Sequence, residues 1–293
     1  MKKLLIRATT RAAPTFILLI ILSHQVTFAQ SAWTRNAGGF YGKLGYAFSG
    51  GDKYYGSDGA LNLGANNFTQ HSLNLYAEYG VTNNITAELN FPVFKIQNFD
   101  GYSASKGVGN PQIELKFAVF KKFPVISFAV GAELPISNQT NFSVAQTINT
   151  LGYFDQINLP TGYPDFHYWG TLAVSSSLGN LPGWISAHSK FVARTGGYSN
   201  QLNYGLEVGY KWTKEFWTNV RITTQNQIGT GSGRGSFVNG QDTEFTTLGL
   251  GAGYKIANKT HINFDYQFYN DLLRSRRNVY SAPFFQLGFS LEL

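Results

Sequence analysis

Side chains able to do covalent chemistry are sparse in this chain: it has five histidines and no cysteine. His188 and Ser189 set a base beside a hydroxyl nucleophile. Adjacent residues of a strand point to opposite faces, so these two cannot work as a nucleophile–base pair. His71, His167 and His261 stand apart, with no second His or Cys at metal-ligand spacing. Glu114 and Lys116, two residues apart, are salt-bridge candidates rather than an acid–base dyad. These residues suggest neither an enzyme nor a resident metal or cofactor.

The elements that carry the charges are more informative. Phe285, Leu287, Phe289, Leu291 and Leu293 alternate with Gln286, Gly288, Ser290 and Glu292, the period of a strand with two unlike faces. Twelve such segments follow one another through the chain, beginning near 39, 72, 85, 113, 126, 166, 185, 202, 219, 248, 262 and 285. Their apolar faces hold no Asp, Glu, Lys or Arg. Opposite lie the bases Lys43, Lys116, Lys190, Arg194, Lys211, Arg221 and Lys255, with the acids Glu78, Glu88, Glu114, Glu133, Glu207, Asp265 and Glu292. Short connections near 81–84, 121–124, 179–183, 213–215 and 257–259 alternate with long ones near 49–70, 95–111, 135–164, 195–201, 226–242 and 270–280. This is the layout of a transmembrane antiparallel up-and-down β-barrel of about 12 strands, with tight periplasmic turns, longer outer loops and both termini periplasmic.

The first 29 residues fit a cleaved signal peptide. Lys2, Lys3, Arg7 and Arg11 precede the apolar run 16–22, and Thr27-Phe28-Ala29 supplies small residues at the expected cleavage site. Residues 30–293 then form a single barrel domain. The net charge of +7 loses four positive charges with the signal, leaving 19 of the 23 basic residues against 16 acidic ones. That balance does not support a nucleic-acid partner. Without cysteine the exported chain holds no disulfide framework.

A soluble β-sandwich would alternate too, with its apolar face inward. Lipid is favoured by the charge-free faces, since Arg or Lys at the bilayer midplane costs ~2–4 kcal/mol. Tyr79, Phe123, Trp184, Trp212, Phe216, Trp217 and Tyr254 cluster at strand ends beside the short turns, where an interfacial girdle belongs. The final alternating strand is the kind that barrel-assembly machinery reads, and it is expected to pair with 39–48 to close the barrel.

The stretch Gly107-Val108-Gly109-Asn110-Pro111-Gln112-Ile113-Glu114-Leu115-Lys116-Phe117 resembles the Gly-x-Gly-Asp/Asn…Leu-Lys-Tyr/Phe element of outer-membrane barrels of the "MetA-pathway of phenol degradation" family, relatives of the long-chain fatty-acid transporters. Phe128 to Pro135, and Leu159-Pro160-Thr161-Gly162 before Asp165-Phe166, are similar to that family's pattern. The resemblance implies a passive outer-membrane channel for small apolar or aromatic compounds. Fatty-acid transporters carry an N-terminal hatch, whereas only residues 30–37 precede the first strand here, too few for a plug.

The lumen is therefore the candidate site, lined by the seven bases and seven acids named above. It is read either as a narrow polar conduit or as a salt-bridged wall that does not conduct. In the second case the barrel would be structural or would bind partners through its loops. Phe142, Tyr153, Phe154 and Tyr163 on loop 135–164 are candidates for a constriction. Arg274, Arg276 and Arg277 at the outer rim are candidates for contact with lipopolysaccharide. The expected partners are outer-membrane lipid, the barrel-assembly machinery and a small apolar or aromatic solute.

Overall fold

A computed structural model describes residues 31–62, 66–229, 231 and 240–293; the signal peptide expected over 1–29 lies outside them. The alternating segments all form strands. The first six are β1 (Phe40–Gly51), β2 (Phe68–Thr82), β3 (Ile85–Phe99), β4 (Gln112–Phe120), β5 (Val125–Glu133) and β6 (His167–Ser177). They continue as β7 (Gly183–Arg194), β8 (Asn200–Lys211), β9 (Phe216–Ile228), β10 (Phe245–Ala257), β11 (Thr260–Asn270) and β12 (Phe284–Glu292). Each pairs antiparallel with its neighbour in sequence, so among the described residues 12 strands form the wall. The last strand closes on the first in register from Tyr41 opposite Glu292 to Ser49 opposite Phe284. Closure satisfies every strand edge, as a wall facing hydrocarbon requires.

The wall is inside out relative to a soluble protein. Lys43, Glu114, Lys116, Glu133 and Asp265 are buried, at 3–7% exposure, while Leu44, Leu172, Val220, Leu250 and Leu287 are 43–53% exposed. A continuous apolar belt of this kind is stable only against lipid. The sandwich alternative is excluded, because it would bury these leucines and expose the charges.

Period-two reading fails at one strand. Leu73 of β2 pairs with Phe94 and Asn74 with Pro92, so Val93, expected on the outer face, is the extra residue of a β-bulge. A bulge reverses the alternation after it. Phe94 therefore faces outward at 43% exposure, and Lys95, which simple alternation would send to lipid, turns inward with Gln97.

Connections at one rim are short, at 83–84, 121–124, 178–182, 212–215 and 258–259. At the other rim most are long, although 195–199 is no longer than 178–182. These loops carry structure of their own. Ser105–Gly107 pairs with β3; Tyr54–Tyr55, Leu61–Asn62 and Val279–Tyr280 form a small sheet; Phe142–Ile148 and Phe154–Asn158 form a hairpin. An apolar cluster of Phe68, Phe99, Leu159, Tyr280 and Ala282 lies at this rim, its rings 5.0–5.6 Å apart. The dry core of the protein thus sits among the loops, and the barrel interior is polar.

Candidate functional site

Alternation on twelve strands aims every second side chain at one axis, and the result is a layered lumen. At the short-turn mouth, residues 31–37 enter the barrel, which corrects the expectation that this segment is too short to obstruct it. Ala32 is fully buried, and its N–H donates to Ser175 Oγ of β6 at 2.8 Å. The Arg35 N–H donates to Thr86 Oγ1 of β3 at 2.8 Å. Its guanidinium holds Glu78 of β2 at 2.6 Å and also pairs with Glu292 of β12. Contacts from β12 and β2 to β6 carry this segment across the mouth. The physical reason is charge: two wall carboxylates at one rim take a cation from the chain beside them.

Above it the interior is cross-braced. Asp265 accepts from Lys43 Nζ at 2.8 Å and from Arg221 Nη2 at 2.7 Å, tying β1, β9 and β11. Lys116 pairs with Glu88 across β3 and β4. Glu207 accepts from Trp184 Nε1 at 2.8 Å and from Asn219 Nδ2 at 2.9 Å. Glu114 accepts from Trp169 Nε1 at 2.5 Å, and the Lys190 ammonium lies 3.8 Å from the Trp169 ring centroid. Glu133 accepts from Asn110 at 3.0 Å and Gln112 at 2.7 Å. Charges taken out of water are held here by partners, as burial demands.

The inward tryptophans need space that glycine supplies. A Cβ on Gly131 of β5 would lie 2.5 Å from the Trp169 indole, and one on Gly253 of β10 would lie 2.3 Å from Trp217. Trp184 and Trp217, expected in the outer girdle, meet edge to face inside the barrel at 6.0 Å. They share strand parity with Ser186 and Asn219, a signal present in the sequence. Tyr79, Phe123, Trp212, Phe216 and Tyr254 are exposed at 36–81% and leave a girdle of five.

At the long-loop end Arg194 makes the densest knot. Its guanidinium holds both Asp165 oxygens at 3.0 and 2.9 Å, reaches His167 Nε2 at 3.0 Å and donates to the Gly240 carbonyl at 3.0 Å. The rings of Tyr163 and Tyr198 lie 5.2 and 4.5 Å from it. Burial pushes the Asp165 carboxyl up, but the His167 and Arg194 hydrogen bonds prevail and hold it below the ordinary aspartate value. Four segments, around 163–165, 194, 198 and 240, are pinned by one cation.

Between these layers lies a cavity of about 310 Å³, lined by Tyr76, Trp169 and Phe245 rings among polar groups. Of the charged residues expected there, Glu78, Glu88, Glu114, Lys116, Glu133 and Lys190 border it. Lys43, Glu207, Arg221 and Asp265 belong to the braced wall, and Arg194 to the loop knot. Lys211, Lys255 and Glu292 stand at the short-turn rim, Lys211 and Glu292 exposed and Lys255 half-buried. Of the constriction candidates Tyr163 borders the cavity, whereas Phe142, Tyr153 and Phe154 are 54–72% exposed. Those three lie in and around a hairpin that pairs its own backbone and so needs no lumen contact. Arg274 and Arg277 share Glu244 at 2.5 and 3.7 Å, and Arg276 is held by Asp271 at 2.6 Å. His188 faces inward and Ser189 outward, so they form no pair. Lys95 and Arg35 were missed in the sequence: one needed the bulge, the other lies outside any strand.

No family model and no curated protein matches the chain. In fold it is similar to an outer membrane channel from Pseudomonas putida F1, with a TM-score of 0.62 and 14% identity over 92% of this chain and 100% of that one. It is also similar to the translocator domain of the autotransporter NalP from Neisseria meningitidis, with a TM-score of 0.51 and 8% identity over 88% of this chain and 89% of that one. The beta domain of the Bordetella autotransporter BrkA gives a TM-score of 0.51 and 9% identity over 88% of this chain and 100% of that one. The fold is that of the outer-membrane β-barrels, as the sequence resemblance implies.

Proposed function

We propose that this protein is a passive outer-membrane channel for small apolar or aromatic compounds, with its short turns in the periplasm and its loops outside. The observation that carries this reading is the ring-lined cavity of about 310 Å³, which Ser31 borders at the short-turn end and Tyr163 at the loop end. A cavity of this size sits at the small end of ligand sites, about 300 Å³ and upward. The braced interior and the segment across the short-turn mouth argue against a wide general pore. Similarity to an outer membrane channel supports the reading without naming a solute. Liposomes carrying the purified protein should swell in a small aromatic alcohol faster than protein-free ones; equal rates would sink the proposal.

The contacts of Arg35 favour a second reading, a barrel sealed at rest that acts through its loops. Removing the exposed hairpin 142–158 should leave solute entry intact under the first reading and abolish partner binding under the second. Arg274 and Arg277, with side chains 43% and 49% exposed, are the groups we propose to meet anionic lipopolysaccharide. Unchanged detergent sensitivity after replacing both with Gln would rule that contact out. We propose β12 as the strand recognised by the barrel-assembly machinery.

A further inference from the structure

Lumen cations divide into two groups. Lys43, Lys116, Arg194 and Arg221 each hold a carboxylate oxygen within ion-pair distance. Lys95 and Lys190 hold none among the described residues, and both border the cavity. The Lys95 ammonium lies 3.2 Å from the Gln97 side-chain amide, and the Lys190 ammonium lies over the Trp169 ring. His188, 8% exposed on the same cavity, has an Nε2 with no hydrogen-bond partner among the described residues.

Carboxylates facing the cavity are otherwise engaged. Glu78 holds Arg35, Glu88 holds Lys116, Glu114 accepts from Trp169, and Glu133 accepts from Asn110 and Gln112. Donor capacity therefore remains on the two ammonium groups. Neither ammonium has a carboxylate in ion-pair contact, Glu133 acting on both and Glu114 and Glu88 on Lys190 at longer range, and a charge-assisted hydrogen bond to an incoming anion offsets the cost of burying them. The rings of Tyr76, Trp169 and Phe245 line the same space, so the rest of such a ligand meets aromatic faces.

We infer that the lumen cavity is a binding station for a small aromatic carboxylate, its anionic group taken by Lys95 and Lys190 and its ring by the aromatic wall. This rests on the channel reading above and narrows its solute class from apolar compounds in general to aromatic acids. Lys95 and Lys190 come from β3 and β7, four strands apart on the wall of the same cavity.

The test is calorimetric titration of the purified full-length protein in detergent with benzoate, its neutral analogue benzyl alcohol, and acetate. Benzoate should bind about tenfold or more tighter than either of the others, as a charged contact and a ring contact both require. In the Lys95→Gln/Lys190→Gln variant, with heat-modifiable mobility confirming a folded barrel, that preference should fall to within about twofold, and Lys190→Arg should retain it. Equal binding of benzoate and benzyl alcohol by the unaltered protein overturns the inference without any variant. So does a preference that survives the double substitution, or acetate binding as tightly as benzoate. Liposome entry, read separately, distinguishes the two claims: entry without preference sinks the station and keeps the channel, and preference without entry does the reverse.

Discussion

At the scale of single residues, the account rests on which face each side chain occupies. Leu287 is 44% exposed in the middle of β12, and Ser290 is 3% exposed beside Asn263 Nδ2 at 2.7 Å. Lys at 287 should cost ~2–4 kcal/mol and lower the yield of heat-modifiable barrel. Asp at 290, opposite Lys43, should assemble normally; equal assembly of both variants would reverse the face assignment. Trp169→Phe keeps the ring but takes the donor from Glu114, leaving a buried carboxylate short of a partner, and should cost about 1–3 kcal/mol in urea unfolding. Asp165 titrates outside the wall. Its folded pKa lies below the unfolded one, so its stabilising contribution is present above the ordinary aspartate range, near 4, and is lost as pH falls through the lower folded value. Protease nicking of loop 134–166 should therefore rise as pH falls below about 4, and Asp165→Asn should show the raised rate already at pH 7. A pH-independent rate in the unaltered protein would remove Asp165 from the loop knot.

At the scale of elements, the short-turn mouth is governed by a segment that belongs to no strand. Deleting 31–36 removes the contacts to Glu78, Thr86 and Glu292, replacing Arg35 with Ala removes those to Glu78 and Glu292, and conductance should rise at least several-fold if that segment is the narrowest obstruction. An unchanged conductance would move the obstruction to the loop end. Strands were the legible part of the sequence because a two-faced environment imposes strict alternation, as in Leu44, Tyr46 and Phe48 against Lys43, Gly45 and Ala47. Two features escaped for physical reasons. The bulge at Val93 adds one residue without changing composition, so nothing local marks the point where Lys95 swings inward. The path of residues 31–37 is set by carboxylates contributed from β2 and β12, far along the chain. The inward turn of Trp184 and Trp217 was available from parity with Ser186 and Asn219, but clustering at strand ends pointed to the girdle instead.

At the scale of the whole molecule, one distribution unites the observations: charges face the axis, most strand leucines and valines face outward, and the packed apolar cluster sits among the loops. Lipid outside a closed wall requires the first two, and loops gathered over a mouth produce the third. That the barrel is membrane-spanning was readable from the charge-free faces together with the aromatics at the strand ends and the alternating final strand. Which lumen groups meet one another was not, because strand order gives neighbours along the wall while contacts such as Lys43 to Asp265 skip the strand between them. The measurement that bears most directly on the proposed function is current across a planar bilayer after insertion of the purified full-length protein. Discrete conductance steps, small beside those of a wide pore and reduced when an aromatic solute is added, are the predicted result. A silent bilayer in which the folded barrel is shown to be inserted would contradict it.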